Sequence, residues 1–303
     1  MELQRFGESD LLVSRVGLGC NNFGGRLDLE QTRAVVEAAL DAGVTHFDTA
    51  DIYGNRGGSE RILGELLKDR RDQVVLATKF GSDMGDGHPA RGSREYVRRA
   101  LDASLERLQT DHVDLYYLHQ PDPGTPIAET LGALHELVQE GKARAIGCSN
   151  FTAEQLAEAD HVARERGTSR FVAVQNHYSL LERGDERNIL PRARELGIAY
   201  VPYFPLANGL LTGKYRRGEP APAGARLEGR EPGDGVFDRV EALERFAAEQ
   251  GRTLLELAIA GLASQPGIPS VIAGATKPEQ VRANAAAGDW QLGTDELDAL
   301  RAL

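Results

Sequence analysis

Residues 97–119 read VRRALDASLERLQTDHVDLYYLH. Val97, Leu101, Leu105 and Leu108 recur at steps of 4, 4 and 3, so a helix carries all four on one face. Val113 to Tyr117 then forms a short apolar run with β-branched and aromatic residues, the composition of a strand buried on both sides. The same strand pattern recurs at Val16 to Gly19, Val44 to Asp48, Val74 to Thr78, Arg144 to Cys148, Val172 to Gln175, Ala199 to Tyr203 and Ser270 to Ile272, which makes eight in all. Helical patterns lie between them. Asp28 with Gln31 and Thr152 with Gln155 have the spacing of capping boxes, and Gly43 fits the position just past a helix end. Repeated strand–helix alternation with nearly continuous apolar strands predicts an α/β fold, a (β/α)8 barrel of the TIM type. An open doubly wound sheet is the alternative. Ahead of the first barrel strand, Leu3 to Phe6 and Leu11 to Val13 flank Gly7-Glu8-Ser9-Asp10, which reads as an N-terminal β-hairpin placed to plug the barrel's bottom.

Composition bounds the function. The 303 residues carry 35 Lys plus Arg against 46 Asp plus Glu, a formal net charge of −11, which argues against a nucleic-acid or anionic-membrane surface. With 41% hydrophobic and 27% charged residues and no apolar run of the roughly 20 residues a membrane span needs, the chain reads as globular and without a transmembrane helix. The start, Met1-Glu2-Leu3-Gln4-Arg5, does not read as a secretory signal, so a cytoplasmic protein is expected. Cys20 and Cys148 are too few for a disulfide framework and lack zinc-ligand spacing. Length alone would allow two domains, but the Gly/Pro-rich stretches, Gly81 to Gly92 and Gly218 to Gly235, sit between strand and helix patterns as functional loops. A single barrel domain over 1–303 is therefore expected, with a hairpin at 1–14 and a long cofactor and substrate loop at 206–235.

In such a barrel the active site lies at the C-terminal ends of the strands. The polar residues falling there are Asp48 and Tyr53 after strand two, Lys79 after strand three, His119 after strand four, Ser149 and Asn150 after strand five, Gln175 ending strand six and Tyr203 ending strand seven. A phenol of pKa about 10 is a poor proton donor near neutrality unless a cation stabilises its phenolate. Lys79 can supply that cation, Asp48 can keep it charged and oriented, and His119 can hydrogen-bond a substrate carbonyl oxygen. The implied reaction is protonation of a developing alkoxide. No side chain supplies hydride, so a nicotinamide cofactor follows.

Several motifs now fall into one order: Gly17-Leu18-Gly19, Phe47-Asp48-Thr49-Ala50-Asp51-Ile52-Tyr53-Gly54, Thr78-Lys79, Asp114-Leu115-Tyr116-Tyr117-Leu118-His119, Ile146-Gly147-Cys148-Ser149-Asn150, Gly209-Leu210-Leu211-Thr212-Gly213-Lys214-Tyr215 and Gly274-Ala275-Thr276-Lys277-Pro278-Glu279-Gln280. In these, over nearly its whole length, the chain resembles the aldo-keto reductase family. The resemblance implies NADPH-dependent reduction of a small-molecule carbonyl substrate, with NADH possible but weaker. It makes Tyr53 the acid, Asp48 and Lys79 its tuners, and His119 the residue that orients the substrate. It gives Ser149, Asn150 and Gln175 to the carboxamide, Tyr203 to the nicotinamide face, and Gln280 and Asn284 to the adenine side. The stretch from Leu206 to Lys214, with Asn208 and Gly209, would cover the pyrophosphate, and Gly19, Cys20, Asn21, Phe204 and Pro205 complete the expected cofactor contacts.

The phosphate end also has a physical reading. Gly274-Ala275-Thr276-Lys277 precedes Pro278, a favoured first helical residue, so backbone N–H groups and a helix N-terminus face an anion there, and Lys277 adds a charge suited to a 2′-phosphate. The chain departs from the family in having Phe204 where Ser is common, Gln280 where some members have Arg, and Cys20, Asn21 and Asn22 in place of bulkier or hydroxylated residues. The Arg-to-Gln change predicts a moderate preference for NADPH. Phe23, Tyr53 and His119 are expected at the substrate, and with Phe204 they give an apolar, aromatic rim suited to aldehydes and small ketones. Two rival readings are a metal-dependent barrel hydrolase using His46 and Asp48 with Lys79, His119 and His177, and a non-catalytic, cofactor-sensing subunit. The Gly-Ala-Thr-Lys segment argues against the first and the complete set of four catalytic positions against the second, so no metal is expected. A monomer is the simplest expectation.

Overall fold

The computed structural model describes residues 1–230 and 232–303. Its strands are β1 (Leu3–Arg5), β2 (Leu12–Ser14), β3 (Val16–Gly19), β4 (His46–Asp48), β5 (Val75–Phe80), β6 (Val113–Leu118), β7 (Ala143–Ser149), β8 (Phe171–His177), β9 (Ala199–Tyr203) and β10 (Val271–Gly274). Its helices are α1 (Leu29–Asp41), α2 (Tyr53–Leu67), α3 (Arg94–Leu108), α4 (Ile127–Gln139), α5 (Ala153–Arg166), α6 (Ile189–Glu195), α7 (Asp234–Glu249), α8 (Leu254–Ala263), α9 (Pro278–Ala287) and α10 (Thr294–Arg301). Strands β3 to β10 form one parallel sheet in the order β10-β3-β4-β5-β6-β7-β8-β9, rolled into a nearly closed barrel. At the barrel's foot the Tyr200 N–H donates to the Gly267 carbonyl (2.9 Å) and the Val271 N–H to the Arg15 carbonyl (2.9 Å), which ties the two end strands to their neighbours.

All eight expected runs are strands of this sheet. Strand β5 extends two residues past Thr78, because the ladder with β6 continues through the His119 N–H to the Phe80 carbonyl (2.7 Å), and Lys79 therefore stands inside a strand rather than after it. The boxes at Asp28 and Thr152 cap α1 and α5, and Pro278 opens α9. On α3, Val97, Leu101, Leu105 and Leu108 are buried as their spacing requires. Strands β1 and β2 pair antiparallel, and Phe6, Leu11 and Val13 from this hairpin pack inside the barrel against Ala77, Leu115, Tyr117, Ala173 and Val201. The foot is thereby closed, and the open mouth lies at the opposite, C-terminal end. No helix among the described residues is long and apolar enough to cross a membrane.

Candidate active site

Adjacent strands β4, β5 and β6 bring four expected residues together. Lys79 is fully buried, and its ammonium donates to Asp48 Oδ1 (2.5 Å), the Thr49 carbonyl (2.9 Å) and the Tyr53 hydroxyl oxygen (3.5 Å). An ammonium has three N–H bonds, and these partners use them all. Burial pulls the ammonium's pKa down, but the Asp48 carboxylate and then the Tyr53 oxygen outweigh it, and the net direction is up. The group stays charged. Gln175 Nε2 donates to Asp48 Oδ2 (2.8 Å), so both carboxylate oxygens are held. Burial raises the Tyr53 phenol, Lys79 draws it back down, and Asp48 adds a smaller upward push. The ring of His119 meets that of Tyr53 edge to face at 5.8 Å and 84°. Burial, then the Lys79 charge, pushes the His119 imidazole down to about 3, so it is neutral at ordinary pH.

The backbone beyond Tyr53 fixes the phenol's position. Gly54, Asn55, Arg56 and Gly57 all have positive φ (65°, 59°, 66° and 101°), a left-handed turn at the head of α2. At Gly54 a Cβ would come 2.3 Å from the Phe23 carbonyl oxygen, so only glycine fits. Behind the turn, buried Glu60 accepts from Thr78 Oγ1 (2.5 Å) and Arg107 Nε (2.6 Å). Neighbouring Asp51 is also buried, and its Oδ1 has no hydrogen-bond partner among the described residues. Burial, with the Glu60 charge behind it, raises its carboxyl to about 8.

From Tyr53 and His119 a groove of about 850 Å³ runs across the mouth to the N-terminus of α9. Gly19 and Gly274 are register partners in β3 and β10, and their lack of side chains leaves its floor open. Ser149 Oγ donates to the Gln175 carbonyl (2.6 Å), Asn150 Nδ2 to the His119 carbonyl (2.9 Å), and the Tyr203 hydroxyl to Asn150 Oδ1 (2.8 Å). Thr152 is the residue that caps α5, so Ser149 and Asn150 are free of that task. Cys20, Asn21, Phe204, Pro205, Leu206, Asn208, Gly209, Lys214, Thr276, Lys277, Gln280 and Asn284 line the same groove. Gln280 is engaged locally, its side-chain oxygen accepting from the Thr276 N–H (2.8 Å).

Phe23 departs from expectation. It is fully buried in the core and does not line the groove, because its N–H bonds the Cys20 carbonyl (3.1 Å) in a turn that points the ring inward. The His177 ring stacks on that of Tyr203 at 5.5 Å and 7°. His46 is hydrogen-bonded, its Nδ1 lying 3.0 Å from Ser270 Oγ. Sequence reasoning missed Arg26 and Arg226. Arg26 Nη2 donates to the Gly224 carbonyl, Arg226 Nη2 donates to Asn22 Oδ1 (3.2 Å), and the Arg226 guanidinium sits 5.7 Å over the Phe204 ring. Residues 222–226 thus roof the groove, with two guanidinium groups facing Lys214. Burial, then Arg26 and Arg226, lowers the Lys214 ammonium, which marks a cluster of cations short of an anion. These features fit an elongated, polyanionic nicotinamide dinucleotide: an open floor, amide groups at one end, and cations with a helix N-terminus at the other.

Residues 15–303 match the model of the aldo/keto reductase family. The chain is 37% identical to a probable voltage-gated potassium channel subunit beta of rice, covering 95% of this chain and 92% of that protein. It is 34% identical to the L-glyceraldehyde 3-phosphate reductase of Escherichia coli, covering 98% of this chain and 90% of that enzyme. To the NADH-specific methylglyoxal reductase of the same bacterium it is 36% identical, over 97% and 96% of the two chains.

Proposed function

The chain belongs to the aldo/keto reductase family, and from that premise we propose that it reduces aldehydes and small ketones to alcohols, with Tyr53 as proton donor and NADPH as the preferred coenzyme. The observation that carries the reading is the buried Lys79 ammonium shared between Asp48 and the Tyr53 hydroxyl at the groove's end. A nicotinamide held in the groove supplies the hydride. Lys79 offsets part of the burial penalty on a tyrosinate, which makes the phenolic proton easier to give up at the moment an alkoxide forms. Asp48, held by Lys79 and Gln175, keeps the ammonium in place. Neutral His119 orients the carbonyl oxygen toward the phenol.

Lys214, Arg26 and Arg226 bear on the shared diphosphate of either coenzyme, whereas Lys277, at the head of α9, bears on the 2′-phosphate. A moderate preference for NADPH follows, although one relative is specific for NADH. The names of two relatives point to small aldehydes as substrates. The test is a panel of such carbonyl compounds followed by nicotinamide absorbance with NADPH and NADH. Turnover of none of them, with cofactor bound, would favour the second reading, a cofactor-binding subunit akin in role to the channel subunit of rice.

A further inference from the structure

Strand β5 ends at Phe80, and the next two residues turn sharply toward β6. Gly81 has φ +99°, a conformation closed to most side chains, and a Cβ there would press on Leu118 Cδ1 at 3.1 Å. That turn brings the Ser82 hydroxyl to His119 Nδ1 at 3.0 Å. No other side-chain hydrogen bond involves the Ser82 hydroxyl among the described residues. The His119 main chain is held separately, its N–H by Phe80 and its carbonyl by Asn150, and among the described residues Ser82 is the one hydrogen-bond partner of the ring.

A neutral imidazole has one N–H, and which nitrogen carries it decides whether the ring offers the substrate a donor or an acceptor. A carbonyl oxygen only accepts. Were Nε2 unprotonated, it would compete with the substrate for the phenolic proton of Tyr53, whose ring the imidazole meets edge to face. We propose that Ser82 is a positioning residue: it donates its hydroxyl proton to His119 Nδ1, holds the imidazole as the Nε2–H tautomer, and so makes the carbonyl meet two convergent donors, Tyr53 O–H and His119 Nε2–H. The inference rests on the reductase reading for its role in turnover, while the tautomer it assigns is a property of the resting protein.

Imidazole ¹⁵N chemical shifts of the intact protein, with and without NADPH, read the tautomer directly. The wild type should show a protonated Nε2 and an accepting Nδ1, and Ser82→Ala should show mixed or exchanging nitrogens. For the small aldehydes of the activity panel, Ser82→Ala should raise KM by about 3- to 10-fold, the scale of one lost hydrogen bond, with a smaller fall in kcat. Ser82→Thr keeps the hydroxyl and should restore both tautomer and KM. A wild-type spectrum with Nδ1 protonated would overturn the proposal, as would an unchanged spectrum in folded Ser82→Ala. Inactivity of the wild type toward every carbonyl, with the expected tautomer present, would count against the reductase reading and leave the assignment of the serine standing.

Discussion

Tyr53 and Lys79 touch through one 3.5 Å contact, and their substitutions should not behave independently. Tyr53→Phe keeps the ring but deletes the proton, so kcat should fall by about 10²–10⁴-fold with little change in cofactor affinity. Lys79→Met should also lower kcat. In the double variant no phenol remains to be tuned, so activity should lie near that of Tyr53→Phe alone, and steady-state kinetics on the three proteins checks this. Multiplied losses would mean that Lys79 acts on something other than Tyr53. At the cofactor's far end, Lys277→Ala should weaken NADPH by about 1–3 kcal/mol and spare NADH, whereas Arg226→Ala should weaken both coenzymes alike. Fluorescence titration separates the two patterns. The four central residues were legible in the sequence because strand ends of a barrel converge, so the position of a side chain along its strand is nearly its position in space. Arg26, Arg226 and Ser82 were not, since each lies in a loop whose path is set by contacts with distant residues: Gly224, Asn22 and His119. Phe23 misled for the same reason, an aromatic near the mouth whose turn sends it into the core.

At the scale of the element, the left-handed turn at residues 54–57 is the least expected piece of backbone beside the chemistry. Helical periodicity from Tyr53 to Leu67 says nothing of it, because two of its four residues, Asn55 and Arg56, are not glycine. Each residue other than glycine in this region costs roughly 1–2 kcal/mol, less for asparagine, and the surrounding packing must repay it. Gly54→Ala adds that backbone cost to the overlap with the Phe23 carbonyl. The variant should lose about 2 kcal/mol or more of stability in denaturant titration, and kcat should fall because the phenol moves away from Lys79. Wild-type stability and turnover in Gly54→Ala would show that the turn is dispensable.

For the molecule as a whole, the buried carboxyl of Asp51 shapes the response to pH. Its folded-state pKa of about 8 lies above the ordinary carboxylate value, so between roughly pH 4 and 8 the native state holds a proton that the unfolded chain has released. Stability should therefore decline as pH rises through that window, by up to about 1.4 kcal/mol per pH unit for this one group. Asp51→Asn removes the proton and should flatten the slope between pH 5 and 8, a difference readable in urea midpoints; parallel slopes would assign the effect to other groups. The barrel's order of assembly carries a different consequence. Strand β3 finds its partner β10 only when Val271 to Gly274 have left the ribosome, and the hairpin that fills the interior lies at the other end of the chain. Phe6, Leu11 and Val13 are made before any barrel strand, yet the chamber they occupy is closed only by β10. They precede β10 by more than 250 residues, so their apolar side chains must wait for that chamber, which makes residues 6–13 a natural place for a chaperone to hold the nascent chain.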